Sequence, residues 1–175
     1  MKKTTNIKNN SIEVSVVIPC LNEEKGVGIC VEKCFCIFHK YNINGEVVVS
    51  DNGSSDNSVL VAQNEGARVV RQVKKGYGNA YLKGLSEARG KYIIMADADD
   101  TYDFLELFGF VEKLRQGFEY VMGNRLNHKI KPGAMPWSHR WIGNPMLTFL
   151  LNFMFGANVL DVYCGMRGIT KEAYD

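Results

Sequence analysis

Residues 78–103 read GNAYLKGLSEARGKYIIMADADDTYD. The first half spaces its apolar residues as a helix does and stops at Gly90. The second half, KYIIMAD (91–97), is a strand whose apolar run Tyr92–Ala96 ends abruptly on Asp97, Asp99 and Asp100. A helix feeding straight into a strand that is apolar on both faces is a unit of a parallel sheet covered by helices on each side.

The same unit repeats outward from this stretch. Upstream lie the strands EVSVVIP (13–19), EVVVSD (46–51) and ARVVRQ (67–72). Between them are helices within 23–41 and 56–66. Downstream come a helix at 104–117, FLELFGFVEKLRQG, and a fifth strand, EYVMG (119–123). Strands alternating with helices across short connections predict an α/β domain with a mostly parallel central sheet flanked by helices. Residues 1–12 are polar and expected to be flexible. After Gly123 the pattern changes. A basic Pro/Gly loop (124–138) precedes an apolar helix (145–155), a short strand near 159–163 and the start of another helix. The chain is therefore expected to be truncated at its C-terminus, with residues 13–123 and 124–175 as two functional halves of one domain.

Composition narrows the class. The 175 residues are 46% hydrophobic and 23% charged, with a net charge of +2. That is ordinary globular composition with enough length for a core. The charge is unevenly distributed, since no Asp or Glu lies between Glu119 and Asp161. That window holds Arg125, Lys129, Lys131 and Arg140, so one region attracts anions. Nucleic acid is not an expected partner. The five cysteines lack a CxxC spacing, and Cys30, Cys34 and Cys36 have no fourth ligand nearby for a structural zinc site, so reduced thiols in a cytosolic domain are expected. The N-terminus has no apolar signal core, and no run of 18 apolar residues exists to cross a membrane.

In an open α/β sheet, ligands bind beyond the carboxyl ends of the strands. Three predicted strand ends carry acids: PCLNEE (19–24), SDNGSSD (50–56) and DADD (97–100). In an extended chain Asp97 and Asp99 point the same way, and a divalent cation relieves their repulsion. Mg²⁺ or Mn²⁺ suits such oxygen ligands and completes its shell with phosphates. Capping accounts for Asp100 and Asp103 but not for Asp97 and Asp99, which come too early. Asp51 is either a turn residue satisfied by local backbone or a hydrogen-bond acceptor for a base or ribose. Glu23 and Glu24 are first-turn acids of a helix or ribose contacts, and Ser54, Ser55 and Asp56 read as helix caps. KKGYGNA (74–80) reads as a glycine turn before a helix sooner than as a phosphate loop.

VSVVIPCLNEE, VVVSDNGSSD and DADD, in this order, resemble glycosyltransferase family 2, enzymes of GT-A (Rossmann-like) fold that use nucleotide-diphospho-sugars. GNR (123–125), HRWIGN (139–144) and DVYCGMR (161–167) resemble its polyprenyl-phosphate branch, the dolichyl-phosphate mannose and glucose synthase-like enzymes. The resemblance implies that Pro19 and Glu23 line the nucleoside pocket and Asp51 holds the base. It makes Asp97 and Asp99 the DxD metal pair, and gives the lipid phosphate to Arg125 and Arg140. Asp161 and Arg167 then lie near the sugar and diphosphate. Asn52 stands where the family often has a second Asp, and Asn144 where mannose synthases place a phosphate-binding Ser.

The expected function is metal-dependent, inverting transfer of a sugar from a UDP-glucose or GDP-mannose type donor to a polyprenyl phosphate. Asp99, Asp161 and Arg125 are the candidate catalytic residues, with Asp161 the base if the acceptor is a hydroxyl. The alternatives are a soluble transferase acting on a saccharide or phosphoglycerate hydroxyl, and a non-catalytic nucleotide-binding or membrane-targeting domain. A lipid acceptor places the protein at the cytosolic face of a membrane, anchored C-terminally in the full-length form. The helix at 145–155 then rests in the membrane interface beside Trp137 and Trp141, or is buried against the sheet or against further C-terminal segments.

Overall fold

The computed structural model describes residues 11–99, 102–124 and 143–175. Strands β1 (Val14–Cys20), β2 (Gly45–Asp51), β3 (Arg68–Arg71) and β4 (Tyr92–Met95) alternate with helices α1 (Val27–Lys40), α2 (Ser58–Asn64) and α3 (Tyr77–Glu87). A 3₁₀ turn at Phe104–Glu106 leads into α4 (Leu107–Arg115). Then follow β5 (Tyr120–Met122), α5 (Asn144–Phe155), β6 (Arg167–Thr170) and α6 (Lys171–Tyr174). The six strands form one sheet in the order β3-β2-β1-β4-β6-β5.

Side-chain alternation divides the core into two layers. Val14, Val16, Ile18 and Cys20 of β1 join the larger cluster with α1, Ala62 of α2, and Phe104, Leu107, Val111 and Leu114 around α4. Val17, Val48 and Ile93 point the other way, onto Leu85 and Ala88 at the end of α3. Both faces of the sheet are thus covered, which is why its central strands carry long apolar runs.

β1 pairs in parallel with β2 on one side and with β4 on the other. Its chain neighbours therefore diverge at its carboxyl end, the position where open α/β sheets leave a crevice. One expectation is corrected at the far edge. Residues 159–163 do not form a strand, and the sixth strand lies later, at Arg167–Thr170. It enters antiparallel between β4 and β5, pairing Met95 and Met122 both with Arg167. An antiparallel strand presents its beginning where its parallel neighbours present their ends, so the approach to β6 reaches the same crevice.

Candidate active site

The β1–α1 loop forms one wall. Val27 opens α1, so Glu23 and Glu24 precede the helix rather than lie in its first turn. The Glu23 backbone N–H donates to Ser58 Oγ at 2.8 Å, and the Glu24 carboxylate accepts from the Asn57 backbone N–H at 3.1 Å. Asn22, at a φ of 59°, accepts from the Ser55 backbone and donates its own N–H to Ser54 Oγ. Ser54 and Ser55 therefore tie this loop to the next one instead of capping α2, while Asp56 does receive the Ser58 N–H at 3.0 Å. A Cβ on Gly26 would run into the Ala98 carbonyl. Glycine here lets the start of α1 touch the end of β4.

At the end of β2, Asp51 is buried. Its two oxygens accept from the backbones of Gly53 (3.0 Å) and Ser54 (2.9 Å). The turn role thus holds whatever else Asp51 contacts. Asn52 is buried beside it. Its amide donates to the carbonyls of Gln72 (3.1 Å) and Lys74 (2.9 Å), and its oxygen receives the Gly76 N–H at 2.7 Å. An aspartate has no donor for those carbonyls, which explains the asparagine. Lys75 Nζ adds a bond to the Asn52 carbonyl. Within 74–80, residues 74–76 make the glycine turn before α3 and 77–80 are its first turn; Gly76 has a φ of 125°.

Pairing of β4 ends at Met95, and the chain bends at Ala98 and Asp99 rather than running on extended. Ala98 turns into the core, Asp97 is half-buried and Asp99 is exposed. Asp97 Oδ1 accepts from the Tyr77 hydroxyl at 2.6 Å and the Tyr81 hydroxyl at 3.2 Å. Asp103 caps the 3₁₀ turn through the Leu105 N–H, as expected. Burial, then the charges of Asp99, Asp56 and Asp97, push the Glu23 carboxyl above its usual range. Negative potential therefore concentrates between the ends of β1 and β4. Among the described residues no three metal-ligating side chains gather at one point. A hard cation here would take one or two carboxylates and need further oxygens from a ligand, which fits a divalent ion bound with a diphosphate.

Asp161 is fully buried. Its Oδ1 accepts from Asn144 Nδ2 at 2.6 Å and from the Tyr163 N–H at 3.2 Å. The bond belongs to a stripe along α5. The Thr148 hydroxyl donates to Asn144 Oδ1 and receives the Val162 N–H, and Asn152 exchanges two hydrogen bonds with the backbone of Val159. Residues 144, 148 and 152 are four apart, one face of a helix. Thr148 and Asn152 take up the Val159 N–H and carbonyl and the Val162 N–H, backbone groups that a strand would pair with a sheet neighbour.

The rest of α5 is inverted. Met146, Phe149, Phe153, Met154 and Phe155 are all more than 60% exposed, and Phe149 stacks on Phe153 at 6.3 Å. The helix is therefore not buried against the sheet. Arg167 Nε donates to the Cys164 carbonyl at 2.9 Å. Pro19 is buried opposite Ser50, one residue before the end of β1. Arg125 and Arg140, like Asp100, Trp137 and Trp141, lie outside the described residues. Sequence reasoning passed over Tyr77, Tyr81, Thr148 and Asn152, and set Asn144 at a phosphate-binding position, whereas here it is buried and donates to Asp161. The signal was present as i, i+4 spacing of polar groups along α3 and α5.

The comparisons agree with this architecture. Residues 15–175 match the family model described as Glycosyl transferase family 2. The low-salt glycan biosynthesis hexosyltransferase Agl6 of Haloferax volcanii is 44% identical over 163 residues, covering 93% of this chain and 39% of that protein. A dolichyl-phosphate hexose transferase of the same organism is 31% identical over 160 residues, covering 91% of this chain and 67% of the relative. Glucosyl-3-phosphoglycerate synthase from Mycobacterium tuberculosis, solved with Mn²⁺, UDP and glucosyl-3-phosphoglycerate, superposes with a TM-score of 0.68 at 24% identity. That match covers 91% of this chain and 57% of the synthase. The chain thus spans about two-fifths of the length of Agl6.

Proposed function

Because the chain belongs to glycosyl transferase family 2, we propose that it forms the donor side and part of the acceptor side of a hexosyltransferase acting on a polyprenyl phosphate. Residues 13–123 bind a nucleotide-diphospho-sugar of the UDP-glucose or GDP-mannose type, and 124–175 face the acceptor. The reading is supported by the dolichyl-phosphate hexose transferase relative. The observation that carries it is α5, a helix whose polar stripe grips the Asp161 segment while its apolar face is exposed. A helix of that kind suits the interface of a bilayer, where the acceptor's phosphate emerges. Among the described residues no helix is long and apolar enough to cross a membrane, so the contact proposed is with its surface.

The chemistry follows from charge. An acceptor phosphate oxygen attacks the anomeric carbon, the bond from that carbon to the diphosphate breaks, and the nucleoside diphosphate leaves with inversion. A divalent cation, Mg²⁺ or Mn²⁺, neutralises the diphosphate when bound. Asp97 and Asp99 are the residues that would hold it. Pro19, Glu23 and Asp51 line the nucleoside side, and Arg167 stands by the diphosphate. Because the phosphate is already anionic, no general base is required. Asp161, fully buried and hydrogen-bonded to Asn144, then orders the sugar-facing turn rather than removing a proton. Arg125 and Arg140 hold the acceptor phosphate.

The test is sugar transfer from UDP-glucose and GDP-mannose, with Mg²⁺ or Mn²⁺, to a short-chain polyprenyl phosphate in vesicles, compared with transfer to 3-phosphoglycerate. The expected product is a lipid-linked hexose phosphate, lost in Asp99→Ala. Transfer to the soluble hydroxyl acceptor alone would overturn the lipid assignment.

A further inference from the structure

The donor-side carboxylate Asp97 is held in an asymmetric way. Tyr77 and Tyr81 stand one turn apart at the start of α3, their rings edge-to-face at 4.9 Å. Both hydroxyls donate to the same oxygen, Oδ1. Among the described residues no hydrogen bond reaches Oδ2. On that side lies Gly165, where an added Cβ would come within 3.0 Å of Oδ2 and collide with the Tyr102 hydroxyl. The Gly165 N–H in turn donates to that Tyr102 hydroxyl at 2.9 Å. Three tyrosines therefore fix the carboxylate on one side and the facing backbone on the other.

We propose that Tyr77 and Tyr81 are positioning residues that make Asp97 a one-oxygen ligand, presenting Oδ2 to the cation bound with the donor diphosphate. The inference rests on the proposed role of Asp97 and goes beyond it in naming what orients that residue. Two donors on Oδ1 occupy its lone pairs and hold the carboxyl plane, which leaves Oδ2, on the Gly165 side, as the oxygen open to a further ligand. Tyrosine suits the task because it donates a hydrogen bond without adding positive charge. A lysine or arginine at either position would pair with Asp97 and cancel the charge a cation requires. Partners of this kind, standing behind a metal ligand, commonly carry tenfold or more of the metal affinity.

The experiment is calorimetric titration of Mn²⁺ into the chain with saturating UDP or GDP, run on the wild type, Tyr77→Phe, Tyr81→Phe, the double variant and Asp99→Ala. Metal-free nucleotide affinity and thermal midpoint are measured alongside. The double variant is expected to bind Mn²⁺ about tenfold or more weakly, with nucleotide affinity in the absence of metal unchanged. A purely structural role would lower the midpoint and both affinities together, and that result overturns the proposal. Wild-type Mn²⁺ affinity in the double variant, with Asp99→Ala defective, overturns the clamp alone. No Mn²⁺ binding by the wild type with either nucleotide overturns the metal reading and the clamp with it.

Discussion

Individual side chains at the crevice do work that their neighbours in sequence cannot. Asn52 is needed as donor and acceptor at once, stapling the 72–76 loop to the end of β2. Asn52→Asp sets a carboxylate against two carbonyl oxygens and is expected to cost about 1–3 kcal/mol, read from urea unfolding. Glu23 bears the opposite kind of strain. Burial and the charges of Asp99, Asp56 and Asp97 raise its folded pKa. Below the unfolded value of about 4.3 both states hold the proton and nothing is lost. As pH rises through the unfolded and then the folded pKa, the native state keeps its proton longer, so stability falls and stays lower. Glu23→Gln should therefore raise the melting temperature at pH 7 and leave it unchanged near pH 3. An equal shift at both pH values would assign the effect to packing instead.

At the scale of elements, α5 joins two surfaces. Its polar stripe holds 159–163, and its apolar face is exposed. The two faces can be separated experimentally. Asn144→Leu removes the donor to the fully buried Asp161 side chain and is expected to destabilise by about 1.5–3 kcal/mol, the range for hydrogen bonds to charged groups. Phe149→Ser with Phe153→Ser alters only exposed rings, so stability should move by less than about 0.5 kcal/mol per site. The same pair should lose sedimentation with phosphatidylglycerol-containing vesicles. Retained vesicle binding would move the membrane contact off this helix.

For the molecule as a whole, the crevice is assembled from the β1–α1 loop, the β2 end, the β4 end and the approach to β6. None of these makes a site alone. Ligand binding to the assembled crevice should stabilise the entire fold by mass action, about 2.7 kcal/mol at one hundred times the dissociation constant. Mn²⁺ added with the matching nucleoside diphosphate should raise the melting temperature more than either alone. Asp97→Ala should abolish that synergy. A midpoint that responds to neither ligand would place the binding site elsewhere.

Much of this was already legible in the chain. The β/α alternation from Val14 to Met122 follows from hydrophobic period alone, because strands covered on both faces must be apolar throughout and helices must show a stripe. The acidic strand ends follow too, since a parallel sheet sends every carboxyl end to one edge. The family resemblance, carried by short motifs at those ends, needed no coordinates. Tertiary structure decided the rest, where long-range partners outweigh local pattern. The VLDVY segment (159–163) has the look of a strand, but side chains of α5 hold the backbone of Val159 and Val162 instead of a sheet neighbour. β6 pairs antiparallel between β4 and β5, which no local period encodes. The tyrosines on Asp97 sit 16 and 20 residues away in sequence. Hydrogen bonds across that distance exist only once α3 has packed against the sheet, so the orientation of the carboxylate is a property of the fold.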